Sequence, residues 1–286
     1  MVALRVLVVG GANVDLKVTA SAPTAAGIST PGHVRVVAGG VARNVAEALA
    51  RLGAAVRLLT VVGTDPWGEW LTAQTAQAGV DVRSVLRRPG QTGLYVMVDG
   101  HGVADVAIAE STPAQTWLDA AGEAGDLLVL DANPDAGTFP ALARRAPRLA
   151  LVGTSPAKVV RFRSILRDAW LIALTHAEAH ALVGAPPGME GSEALARAVA
   201  ALGPRYVLLT AGSRGLGLLG EDWTAVPAHP GPAVNPTGAG DVAAAVVMVG
   251  LLRGWSAGRV LPLAARAAGL ALKTWGNVPP DLGTLW

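Results

Sequence analysis

Six short, almost wholly apolar runs alternate along the chain with segments of helical pattern: Val6 to Val9, Val56 to Val61, Leu127 to Leu130, Leu149 to Val152, Trp170 to Leu174 and Tyr206 to Thr210. Near-continuous apolarity means burial on both faces, and helices between such strands imply a mostly parallel sheet with right-handed crossovers. The expected class is therefore α/β, with helices covering both sides of a central sheet. Four further runs, Val14 to Ala20, Val34 to Val37, Gly93 to Val98 and Val103 to Ile108, partly alternate and are broken by turns such as Asp99-Gly100-His101-Gly102. They read as hairpins outside the main sheet. With 286 residues and 51% hydrophobic content, the chain can bury one large core as a single domain over 1–286.

Several function classes fall away on composition. Mean hydropathy is high at +0.42, yet the longest apolar candidate, Val242 to Leu252, lies between Asp241 and Arg253 and is far short of the roughly 20 residues that span a bilayer. It reads as a buried helix, and no membrane association is expected. Arg5 precedes a short β-branched run ending in glycines, a start without a secretory h-region. The absence of cysteine excludes disulfides and thiolate metal sites and fits a reducing, cytoplasmic setting. The net charge is +2, and although Arg144, Arg145 and Arg148 cluster, no interleaved aromatics accompany them, so nucleic acid is not an expected partner.

Three glycine-containing corners carry the chemistry. Asn235-Pro236-Thr237-Gly238-Ala239-Gly240-Asp241 runs straight into the apolar helix, so Gly238, Ala239 and Gly240 present unpartnered N–H groups at the positive end of a dipole, a place suited to phosphate. Asp241 at its mouth would be repelled by that anion. It makes sense as a base for a nucleophile attacking the phosphate, or else as a cap for the helix. Gly39-Gly40-Val41-Ala42-Arg43-Asn44 follows a strand-like run and opens the helix Val41 to Leu52, with the Asn44 amide in its first turns able to bond hydroxyl groups. Gly10-Gly11-Ala12-Asn13-Val14-Asp15 closes the first strand, placing Asn13 and Asp15 at a carboxyl edge, where open α/β sheets bind ligands; an ordinary turn is the competing reading.

These motifs in this order, GGANVD, GGVARNVAEALARLG, VGTDPWGEWL, TAGSRG and PTGAGD, resemble the PfkB, or ribokinase-like, family of carbohydrate and nucleoside kinases over nearly the whole length. The resemblance implies a three-layer α/β/α sandwich with a mostly parallel central sheet and a small β-lid, built from about 14–37 and 93–109, that in many relatives also joins subunits as a homodimer. It implies ATP as phosphoryl donor with Mg2+, and a small sugar or nucleoside as acceptor. Asp241 would take the proton from a primary hydroxyl while Gly238, Ala239 and Gly240 form the anion hole. Asp15 would hold the sugar diol, with Asn13, Gly39, Gly40 and Asn44 completing the pocket. Thr210, Gly212 and Gly215 of TAGSRG, with Thr237, would serve ATP, although a plain turn between strands is the alternative. Within the family, GGANVD together with STPGHVRVVAGGVARNVAE is most similar to the pseudouridine-kinase form, in which Arg43 is a feature; on residue type alone Arg43 reads as an exposed helix arginine. The acceptor implied is the 5′-hydroxyl of pseudouridine. Ribose, fructose, adenosine or uridine kinases are neighbouring readings, and a nucleoside-binding module without turnover is the reading from another class.

Two departures stand out. The family's N-x-x-E motif, which orders magnesium through water, is Thr175-His176-Ala177-Glu178 here, so Glu178 is retained as a water-mediated metal contact or as a first-turn helix acid. Asn235 stands where many relatives have an Asp that contributes to a monovalent-cation site, which weakens the case for potassium. The chain has no G-x-x-x-x-G-K-[ST], arguing against a P-loop enzyme, and no G-x-G-x-x-G after its first strand, arguing against a dinucleotide dehydrogenase. Asp65-Pro66 reads as a helix start. His176 and His180, four apart on a helical stretch, lack a third ligand, while His101 and Glu110 in the lid region are candidate substrate contacts.

Overall fold

The computed structural model describes residues 4–25, 27–98, 101–184, 191–231, 233–235 and 237–286, so Pro236 and the Asp99-Gly100 half of the lid turn lie outside the described residues. The strands are β1 (Arg5–Val9), β2 (Asn13–Ala20), β3 (Gly32–Gly39), β4 (Ala55–Gly63), β5 (Val85–Arg88), β6 (Leu94–Val98), β7 (His101–Asp105), β8 (Leu127–Asp131), β9 (Leu149–Val152), β10 (Leu171–Thr175), β11 (Tyr206–Thr210), β12 (Leu216–Leu219) and β13 (Trp223–Val226). Nine of them form one sheet in the order β13-β12-β11-β10-β9-β8-β1-β4-β5. From β11 to β5 every pairing is parallel, and β12 and β13 add an antiparallel edge.

Alternate residues of each strand supply opposite faces. Val6, Val8, Val56 and Leu58 pack against the helices Val41–Arg51, Ala239–Leu252 and Ala257–Leu272, whereas Leu7, Val9, Leu59 and Val61 join Trp117, Phe139 and Phe162 on the other side. Each fully buried Leu or Val contributes roughly 1.5–3 kcal/mol, so this double-sided alternation fixes strand register firmly. The helix Ala239–Leu252 is buried from Val242 to Gly250, which explains why it is apolar all round. Among the described residues no helix is long and apolar enough to cross a membrane.

The chain leaves β1 outward through β4 and β5, then returns to β8 on the other side of β1 and proceeds to β11. Strand order thus reverses between β1 and β8, and a crevice opens beyond their carboxyl ends. A second sheet, β3-β2-β6-β7, borders it; β2 begins only three residues after β1, runs antiparallel to β3 and parallel to β6. The outer surface of this sheet exposes Val34, Val36 and Val103.

Two expectations are corrected, and three strands went unread. The last lid strand, read as Val103 to Ile108 within a lid segment of about 93–109, ends at Asp105, because the Asp105 carboxylate accepts from the Ala107 amide at 3.2 Å and turns the chain into the short helix Ala107–Glu110. The late helix starts at Ala239, three residues before the expected Val242. β5, β12 and β13 escaped the sequence reading because each has four residues and lies at or beside a sheet edge, where an uninterrupted apolar run is not required.

Candidate active site

A cavity of about 560 Å³ occupies the crevice and is lined by Asn13, Asp15, Gly40, Asn44, Thr237 and Asp241 from the predicted set. That volume lies in the ordinary range for a small-molecule cleft. The cavity continues along Tyr95 and Asp105 of the lid and along Asn133, Lys158 and Glu110 from the far side.

Asp15 and Asn13 come from the buried start of β2. Asp15 accepts from Asn13 Nδ2 at 2.6 Å and from Asn277 Nδ2 at 2.8 Å, leaving each oxygen a second lone-pair direction for a ligand hydroxyl. Burial pushes its carboxyl above the usual range, against the pull of Asn277 and Lys17. Lys17, on the same face of the strand, donates to Asn277 Oδ1 at 2.6 Å, and burial brings its ammonium down to about 8. Gly39 pairs with Asn13 across the lid, and a Cβ there would fall 2.2 Å from Asp15 Oδ1; the missing side chain is what lets the carboxylate lie on the backbone.

Asp241 occupies the third position of its helix and does not cap it: the cap is Gly238, in the left-handed region at φ 87° and without a side-chain bond. A Cβ on Gly238 would also meet Asn277 O at 2.4 Å, so this corner requires glycine. The Asp241 carboxylate accepts from Asn44 Nδ2 at 2.8 Å. Its pKa is pushed up to about 8, first by burial, with Asn44 opposing and the negative charges of Asp131, Glu178 and Asp15 reinforcing. Ala239 is half-buried and Gly240 exposed at the helix start, so the free N–H groups there are open to an anion.

Other predicted residues sit elsewhere. Arg43 is buried, not exposed: it is ion-paired with Glu47 and donates to Ala38 O at 3.0 Å, away from the cavity lining. Thr210 ends β11, and Gly212 and Gly215 form the tight turn into antiparallel β12, closed by an Ala211 N–H to Gly215 O bond of 2.8 Å. This turn borders the Thr175 helix start, since Arg214 reaches His176 Nδ1 at 3.4 Å. Glu178 completes a capping box with Thr175, accepting from its backbone N–H at 2.8 Å and hydroxyl at 2.9 Å, and burial pushes its carboxyl up. Asp65 caps the helix Pro66–Gln77 by accepting from Gly68 N–H at 2.9 Å. His101 is exposed on the lid and outside the cavity lining; the His176 and His180 rings lie 6.4 Å apart, and no cluster of three or more metal-binding side chains exists among the described residues.

Sequence reading missed Asp131, Asn133, Lys158 and Asn277. Asp131, at the carboxyl end of β8, is buried beneath Gly10 and accepts from Gly11 N–H at 2.8 Å, Ala42 N–H at 3.1 Å and Asn133 N–H at 2.8 Å, tying two glycine corners together. The rule that singled out Asn13 and Asp15, polar groups just beyond an apolar strand, applies equally to Asp131 and Asn133. Glu110 belongs to the short helix rather than a strand end; Lys158 at 2.9 Å and Arg161 at 3.3 Å hold its carboxyl below the usual range against the push of burial. Lys158 also donates to Asn133 Oδ1 at 2.8 Å. No sequence pattern marks Lys158 or Asn277.

Residues 3–281 match the sequence profile described as pfkB family carbohydrate kinase. The pseudouridine kinase of Escherichia coli (strain K12) is 29% identical over 299 aligned residues, covering 97% of this chain and 93% of that protein. A shorter stretch of 93 residues, 32% of this chain and 26% of the relative, is 42% identical to the uncharacterized sugar kinase YeiI of the same organism. Among solved structures, a ribokinase from Thermotoga maritima superposes with a TM-score of 0.79 at 20% identity, covering 99% of both chains; the fold is ribokinase-like.

Proposed function

Because the chain belongs to the pfkB family of carbohydrate kinases, we propose that it transfers the γ-phosphoryl group of ATP to the 5′-hydroxyl of a ribosyl compound, pseudouridine being the acceptor favoured by the GGANVD and STPGHVRVVAGGVARNVAE motifs and by the relative of that activity. The observation that carries the reading is that Asp241, at an open helix start, and Asp15, on the lid, line the same cavity, with Asn44 bonded to the former.

In this mechanism Asp15 and Asn13 fix the ribose diol. Asp241 accepts the proton of the primary hydroxyl as that oxygen bonds to the γ-phosphorus and the bond to the bridging oxygen of ADP breaks. The N–H groups of Gly238 to Asp241 stabilise the transferring phosphoryl, so positioning and fixed dipoles supply most of the catalysis. The Asn44 amide aims the carboxylate. The Thr210–Gly215 turn and Thr237 would receive the nucleotide. Among the described residues the donor set makes no dedicated metal cage; it would suit magnesium carried on the nucleotide, which Glu178 would hold through water and which would neutralise charge on the phosphates.

ADP release measured with Mg2+ and pseudouridine, uridine, ribose, fructose or adenosine tests the reading. Turnover highest with pseudouridine is expected. Turnover of a free hexose alone would overturn the acceptor assignment, and ligand binding without ADP release from any of them would overturn the kinase itself.

A further inference from the structure

The corner that presents the anion-hole helix is held by a cage of oxygens. Thr237 O, Trp275 O, Gly276 O and Asn277 Oδ1 surround Asn235 Nδ2 at 3.4, 3.5, 3.4 and 3.3 Å. Lys17 Nζ donates to two of the same oxygens, Asn277 Oδ1 at 2.6 Å and Trp275 O at 3.3 Å. Asn235 is completely buried and Lys17 is 2% exposed. Converging carbonyl oxygens without a positive partner repel one another, and the family resemblance implies a monovalent cation at such a place where an acid stands at position 235. In this chain the cage does not fit such an ion. The amide directs hydrogens at the oxygens an ion would use, and a tethered ammonium already supplies the charge.

We propose that Lys17 and Asn235 are a built-in substitute for the monovalent cation, holding the Thr237–Gly238 loop and the Trp275–Asn277 segment in place so that phosphoryl transfer is independent of potassium. Both act as positioning residues through the loop that carries Gly238, and Lys17 does so from the lid strand, across 260 residues of chain. The catalytic half of this inference rests on the kinase reading above; the cage itself does not.

The full-length protein, prepared in choline chloride, is tested in two ways. Thermal unfolding with about 0.1 M KCl against choline chloride of equal ionic strength is expected to give the same midpoint, since an ion that binds only the folded state would raise it. With Mg2+ and ATP, turnover in the two salts is expected to agree within about twofold. A crystal soaked in rubidium is expected to show no anomalous peak between Asn235 and Trp275. The Lys17→Met, Asn235→Asp double variant restores an acid and removes the ammonium, and should gain both a potassium-dependent midpoint and a potassium-dependent kcat. A potassium-specific rise in midpoint or a rubidium peak in the unaltered protein would overturn the proposal. If no acceptor is phosphorylated in either salt, the kinase reading fails while the unfolding and rubidium measurements still decide the cage.

Discussion

Asn44 donates its amide to the Asp241 carboxylate at 2.8 Å, joining the first turns of two helices whose contacting residues are 197 positions apart. The bond fixes a carboxylate that nothing else among the described residues restrains by a side-chain hydrogen bond, and it survives conversion of that carboxylate to an amide.

Asp241→Asn therefore isolates basicity. The substituted side chain still offers an oxygen to Asn44, so kcat is expected to fall by roughly 10² or more with the acceptor KM little changed. Steady-state kinetics read this directly; retained turnover would remove Asp241 from the role of base.

With its pKa at about 8, Asp241 is mostly protonated in the free protein near neutrality. Only the ionised form can accept a proton, so kcat/KM for the acceptor should climb as pH rises toward about 8, until loss of the Lys17 ammonium in the same range limits it. A pH profile already flat from the usual carboxylate range upward would contradict the assignment.

The same shift makes a statement about stability. A carboxyl with its folded pKa above its unfolded one binds more protons in the folded state between the two values, so its contribution falls as pH rises from the ordinary carboxylate range through about 8. Asp241→Asn abolishes that loss. The variant should melt several degrees above the unaltered protein at alkaline pH, and the gap should close toward acid pH, as followed by thermal unfolding in matched buffers.

Asp15 is held by Asn277 and seated on Gly39, so three substitutions should converge on one phenotype. Asp15→Ala is expected to raise the acceptor KM steeply, and Asn277→Ala by about tenfold, equivalent to about 1.4 kcal/mol. Gly39→Ala should do the same by displacing the carboxylate. An unchanged KM for all three, measured with the nucleotide saturating, would place the sugar elsewhere.

The layered sheet was legible because its strands are apolar on both faces, and that signature does not depend on distant contacts. The corners at Gly10 and Gly39 were legible for a similar reason, since each is a local break between a strand-like run and the lid or a helix, and Gly238 because a loop of small residues runs straight into an apolar helix. Asn277 was not, because its significance arises only when the chain's end returns beside β2 to bridge Asp15 and Lys17. Lys158 is likewise an ordinary helix lysine until the fold sets it against Glu110 and Asn133. Arg43 misled in the opposite direction: by type it belonged in solvent, but Glu47 one turn later neutralises it and permits its burial.

Burial fades along β2: Asn13, Asp15 and Lys17 are enclosed, Thr19 is exposed, and β7 is exposed over its whole length. With its root bolted to the Trp275–Asn277 segment through Lys17 and Asn277, the small sheet is mechanically a cantilever. Asn13 and Asp15 sit at that clamped end, the part of the sheet best fixed relative to Asp241.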